Sequence, residues 1–229
     1  MAGREYYTLM ASLPALPYFE RASRLPINEV RLRKRLEMLE DDDRAVTRKL
    51  IEFLAWKQQP LERTDREVVT LYEQMERLTR HLPGAWSMIV KEISQRTIMA
   101  ALRRRKKGQG PPGKWETWGV GPWVEHIELH WNNPDFMMGF TFPWIPKARS
   151  LLEGGEALEL SRLLFKENWD TADGLSWDDP FSFEAVLAYI SKWAIISVWL
   201  GYDNQAAEKR FNSLIMEVTH GQEQLFSIG

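Results

Sequence analysis

The chain has 229 residues, 44% apolar and 27% charged, an ordinary globular composition with length for a substantial core. A formal charge of −2 excludes a global field that would gather nucleic acid. The lack of cysteine excludes disulfides, thiol nucleophiles and cysteine metal sites, and fits a reducing compartment.

The start, M-A-G-R-E-Y-Y, has no apolar signal core, so a cytoplasmic location is expected. Tyr6 to Leu13 is a short apolar segment stopped by Pro14 and Pro17, and it suits a strand or a single helical turn equally. Val30 to Leu39 reads as a helix with Val30, Leu32, Leu36 and Leu39 as its apolar positions. Four acids, Glu40 to Asp43, precede a further apolar run, and acids favour the positive end of a helix dipole, so a helix is expected to begin near Asp42 with a solvated cap. Thr64 and Glu67 form a capping box ahead of Val68, Leu71, Tyr72, Met75 and Leu78 at helical spacing. Pro83-Gly84 breaks that helix, and another is expected from Ala85 to Arg105, with Met88, Ile89, Ile93 and Leu102 facing a core.

Arg103 to Lys107 reads R-R-R-K-K, followed by G-Q-G-P-P-G. Five cations in a row suit phosphates or lipid headgroups, but they equally suit the negative end of a helix dipole as a solvated terminus. Gly108, Gly110 and Gly113 satisfy G-x-G-x-x-G in letters alone, since two prolines lie inside it and no strand precedes it. The stretch marks a boundary instead.

Lys114 to Pro146 holds Trp115, Trp118, Trp123, Trp131 and Trp144, with prolines too close together for long helices. Such aromatics either pack a loop onto a helical core or anchor a partner. Helix returns over Lys147 to Glu153, breaks at Gly154-Gly155 and resumes over Glu156 to Phe165. A loop over 168–179 then leads to the most apolar stretch of the chain, Asp179 to Leu200. Asp179-Pro180 is a good helix start and Gly201 a good stop, and only Glu184 and Lys192 carry charge between them. A helix apolar on nearly every side must be covered on every side. Lys192 at its midpoint argues for cover by protein and not lipid, and both charges need a partner or a route to the surface. A last helix is expected from Asp203, with Ala207, Phe211, Leu214, Ile215 and Val218 on one face.

Chemistry-bearing patterns are sparse. His126 and His130 form H-I-E-L-H, two imidazoles on one helix face, but Glu128 does not follow the first His directly as zinc proteases require. No serine lies in a G-x-S-x-G turn. Glu116, Asp135 and Asp170 near the tryptophans could line a carbohydrate cleft, so a hydrolase or carbohydrate-binding protein is the alternative reading.

Y-Y-T-L-M-A-S-L-P near the start, W-V-E-H-I-E-L-H-W-N-N-P-D-F and F-P-W-I-P in the middle, and F-E-A-V-L-A-Y-I-S-K-W-A-I-I-S-V-W-L further on together resemble a small, uncharacterised bacterial family that accompanies the subunits of V/A-type ATPases. The resemblance implies a role like the C/d-type central-stalk subunit, a helical, non-catalytic socket between the soluble stalk and the membrane rotor. It implies other ATPase subunits as partners and a place peripheral to the membrane at most, while the charge balance and the lack of a binding motif lead to the expectation of no nucleic acid and no cofactor.

The expected architecture is all-α, a multi-helix bundle with a Trp-rich irregular segment in its middle. Residues 1–107 form an N-terminal helical part, 108–146 a Gly/Pro loop and Trp-rich connector, and 147–229 a C-terminal helical part, all in one continuous domain. No catalytic or metal residue is expected. The candidate partner-binding residues are Arg103, Arg104, Arg105, Lys106, Lys107, Trp115, Trp118 and Trp123.

Overall fold

The computed structural model describes residues 4–54, 65–113 and 118–202. Among them the chain is all-α, as its periodicity predicts. Helix α1 (Tyr7–Ser12), a 3-10 turn (Phe19–Arg21), α2 (Glu29–Leu36), α3 (Asp41–Leu54), α4 (Asp65–Thr79) and α5 (Pro83–Lys106) come first. They are followed by α6 (Val124–Leu129), α7 (Ile145–Gly154), α8 (Ala157–Leu175) and α9, described over Phe183–Tyr202. The expected last helix, the capping residue Thr64 and Trp115 lie outside the described residues.

Local chemistry explains most of the boundaries. Asn28 caps α2 by accepting from the Arg31 amide at 2.9 Å. Leu32, Leu36 and Leu39 face the core, but Val30 is exposed, because the buried stripe follows the 32–36–39 spacing and leaves position 30 outside it. Asp41 and Asp42 are exposed at the start of α3, whereas Asp43 is buried and takes the Tyr6 hydroxyl, with Arg4 Nη1 at 3.4 Å. The acid run is therefore only partly a solvated cap; its third member pins the N-terminal segment. Tyr6 to Leu13 proves to be a helical turn, with Glu5 just before it bridging antiparallel to Ser182.

Two further expectations are corrected. Helix α8 does not stop at Phe165 but runs on to Leu175, because Phe165, Trp169 and Ala172 continue one buried stripe through the segment read as a loop. Helix α9 begins at Phe183, after Ser182 accepts from the Ala185 amide at 3.2 Å, and it passes through Gly201 instead of ending there. Its mean hydropathy of 1.4 makes it the one described helix long and apolar enough to cross a membrane, yet over half of its apolar stretch is buried in protein. Both of its charges are satisfied. Glu184 accepts from the Gly84 and Ala85 amides at 3.0 and 3.3 Å, capping the N-terminus of α5. Lys192 pairs with Asp173 on α8, its ammonium 5.5 Å from the Trp169 ring centre.

Helix α9 is not the sole centre. The first core cluster joins α2, α3 and α4 to the first half of α5, through Met88, Ile89 and Ile93, and to Phe183, Val186 and Ile190 of α9. The second is built on the other half of α5, through Ile98, Met99 and Leu102, and takes in the segment 118–145 and α7. A third, aromatic cluster wedges Phe19 between Phe165 and Trp169 of α8 and Trp199 of α9. Helix α5, at 24 residues the longest among the described residues, is thus the spine that both large clusters share.

Candidate interaction surface

The Trp-rich segment is seated on α5 by one threonine. Thr97 donates to the Val120 carbonyl at 2.6 Å and accepts from the Val120 amide at 3.1 Å, so both backbone groups of Val120 are satisfied in a place where water is scarce. Gly119 makes the approach possible, since a Cβ there would lie 2.7 Å from Thr97 Cγ2. From this anchor the segment folds into a lobe containing α6.

The candidate tryptophans are part of that lobe's packing. Trp118, half-buried, donates its indole N–H to Glu128 Oε1 at 2.7 Å and meets the buried Trp131 edge-on at 6.3 Å. Trp123, also half-buried, stacks edge-on against His126 at 5.7 Å and Phe142 at 5.6 Å. Trp144 is buried with Phe136, Ile127 and Met138. These rings fill the space between short turns where regular structure cannot.

The basic run at the end of α5 divides into two kinds of residue. Arg105 Nη1 donates to the Asn133 and Pro134 carbonyls at 2.8 and 3.3 Å, and its guanidinium lies 5.0 Å from the Phe136 ring centre. Burial, and next to it the charge of Arg149, push its pKa down. Arg104 donates to the Gly110 carbonyl at 2.9 Å, and Lys106 to the Leu152 carbonyl near the end of α7 at 2.5 Å. Arg103 and Lys107 remain exposed. Three of the five cations therefore brace loops and helix ends, a use the sequence run did not reveal.

What the lobe displays is a different set of side chains. Leu129 is 80% exposed, Met137 61%, and Phe140 fully exposed. The loop that carries Met137 and Phe140, beyond Leu129 at the end of α6, is held tightly. Asp135 accepts from the Met137 amide at 3.1 Å and the Gly139 amide at 3.2 Å, and His126 Nε2 lies 3.0 Å from the Phe136 carbonyl oxygen. Phe136 and Met137 both sit at positive φ, 56° and 58°. Two consecutive non-glycine residues in the left-handed region cost on the order of 1 kcal/mol each. The only hints in the sequence are Asp135 and Gly139 at turn spacing; nothing in N-N-P-D-F-M-M-G-F says which aromatic faces out.

The described groups considered for catalysis are engaged locally, while Glu116 lies outside the described residues. Glu128 receives Trp118, Asp135 caps its own loop, and Asp170 pairs with Lys166 along α8. The His126 and His130 rings lie 4.5 Å apart, and among the described residues no three His, Asp or Glu gather as metal ligands. A cavity of about 630 Å³ lies between α3, α5, α8 and α9, lined by Phe53, Ile89, Gln95, Asn168 and Ile195 among others. Its amides are bonded to protein: Asn168 Nδ2 donates to Gln95 Oε1 at 3.2 Å, and Gln95 Nε2 to the Leu164 carbonyl at 3.2 Å. In the same wall Arg96 bonds Glu92 at 2.9 Å and the Phe53 carbonyl at 3.3 Å.

A family model described as a protein of unknown function (DUF2764) matches residues 50–222, well over half of the chain. No curated protein and no solved structure matches it.

Proposed function

The chain belongs to the DUF2764 family, and for it we propose a non-catalytic role as an assembly or structural subunit of a V/A-type rotary ATPase, at the central stalk near the membrane rotor. The observation that carries the non-catalytic part is the lobe of residues 118–145. Its described tryptophans pack into the lobe's own core, Glu128 and Asp135 brace it, and its large exposed apolar side chains are Leu129, Met137 and Phe140. Such a surface suits a partner, because apolar anchors fixed before binding lose little entropy when the partner arrives. The ATPase assignment rests on the likeness of the landmark stretches. Two of them, W-V-E-H-I-E-L-H-W-N-N-P-D-F and F-P-W-I-P, make up most of this lobe, and the longest forms α9. The carbohydrate-cleft reading draws less support: Trp118 borders the cavity of about 630 Å³, but Trp123, Trp131 and Trp144 pack within the lobe, and none of Glu128, Asp135 and Asp170 lines that cavity.

Affinity purification of the tagged chain from its host, with mass spectrometry of what accompanies it, tests the assignment. Co-purification of ATPase catalytic and stalk subunits is expected. Recovery of the chain alone at stoichiometric purity would sink it.

A further inference from the structure

We infer that the tip of the lobe is a docking surface for an anionic lipid bilayer, with Met137 and Phe140 entering the headgroup region and the end of α5 lying over it. This stands on the lobe's geometry and charge and does not require the ATPase reading.

Three observations converge. The first is exposure: Leu129, Met137 and Phe140 all stand out of one twelve-residue stretch, and Phe140 touches nothing that shields it. Isolated exposed apolar residues are ordinary, but three on one short segment of a folded lobe are not needed for its packing, which already has Phe136, Met138 and Trp131 inside. The second is cost. Met137 is displayed at positive φ by a loop that Asp135, His126 and Arg105 hold through hydrogen bonds, so the backbone accepts strain where it turns Phe136 inward and Met137 outward.

The third is charge, and it selects the partner. The whole chain carries 30 Lys and Arg against 32 Asp and Glu. Residues 103–113 and 118–154 reverse that balance, with Arg103 to Lys107, Lys147 and Arg149 against four acids. One of these cations reaches the tip loop, since Arg105 lies over Phe136, the residue before Met137, while it bonds the Asn133 and Pro134 carbonyls; Arg103, Lys107 and Lys147 are exposed and hold no carbonyl of the loop. A protein groove needs matched shape over a broad area, whereas a bilayer accepts a few protruding side chains of any outline and adds attraction to nearby cations. A protruding apolar tip on a net positive segment, within a chain of slight net negative charge, fits the second.

The test uses the purified full chain and sedimentation with vesicles, either of phosphatidylcholine alone or with about 30% phosphatidylglycerol, a proportion that gives a strongly anionic surface. Binding to the anionic vesicles is expected, weakening several-fold between about 0.05 and 0.5 M salt as screening sets in. Phe140→Ser should lower the partition by roughly tenfold at both salt concentrations, the effect of withdrawing one large apolar side chain. The double variant Lys107→Gln with Lys147→Gln should lower it by roughly fivefold or more at low salt and little at high salt. All three positions are exposed, so the melting temperature of each variant should match the parent and separates lost binding from lost fold. Failure of the parent chain to sediment with anionic vesicles, or equal binding by Phe140→Ser, would overturn the inference. So would loss of a soluble protein partner on Phe140→Ser with vesicles ignored throughout, which would make the tip a protein interface.

Discussion

Tyr6 shows how much one side chain ties together. It precedes a six-residue helix too short to persist alone, and its amide donates to the Phe181 carbonyl at 2.6 Å while its hydroxyl bonds Asp43. Burial first, and then the bond to Asp43, push its pKa up from 10.0 to about 12; burial does the same to Tyr189, whose hydroxyl donates to the Pro14 carbonyl at 2.9 Å. A group that holds its proton more tightly when folded stabilises the fold fully below its unfolded pKa and loses that contribution as pH rises through the folded value. Stability is therefore expected to fall between pH 10 and about 12. Tyr6→Phe should be destabilised at pH 8, and its deficit against the parent should shrink across that window in urea melts. A deficit constant from pH 8 to 12 would mean that the hydroxyl contributes nothing through its proton. The charges of α9 follow the same logic of satisfaction: Glu184 and Lys192 do not pair with each other, but each finds a partner on a neighbouring helix.

The loop between α6 and α7 is where local preference and structure disagree most. Phe136 and Met137 adopt a backbone conformation that residues other than glycine avoid, and the surrounding hydrogen bonds with the burial of Phe136 keep them there. Met137→Gly is expected to raise stability by about 0.5–1 kcal/mol, since glycine accepts φ near 58° without penalty and the lost side chain is largely exposed. The same change should weaken binding at the tip. A melting temperature that falls by several degrees would show that the methionine packs more than it strains. Helix α8 is the opposite case, where tertiary burial of Trp169 and Ala172 carries a helix through D-T-A-D-G, residues that read as a loop in isolation.

Across the whole molecule, α5 distributes stability. Its first half is buried with α2, α3, α4 and α9, and its second half with the lobe and α7, so neither large cluster can open without exposing part of one continuous helix. Unfolding is expected to be a single transition in urea. Tryptophan emission, weighted toward the lobe and the α8–α9 aromatic cluster, should coincide with the loss of helical circular dichroism. Two separated midpoints would show that the lobe is an independent unit docked on the bundle, not a continuation of its core.

The sequence by itself determined the all-α class, the approximate extent of α2, α4, α5, α7 and α9, and most core positions, because the 3.6-residue apolar period and the prolines and caps that bound it act locally. It also marked residues 114–146 as Trp-rich and too interrupted by proline for a long helix, and the described part holds only the six-residue α6 and the start of α7. Tertiary structure alone decided which members of a like-looking set do which job. Of the five cations in R-R-R-K-K, three turn to backbone carbonyls, and which three depends on where residues 110, 133 and 152 arrive. Of the aromatics in the lobe, Trp118, Trp123 and Trp131 pack while Phe140 stands clear, because the lobe closes around Phe136 and Ile127. Residues of one chemical type are equivalent to a local pattern, and only contacts distant in the chain make them different.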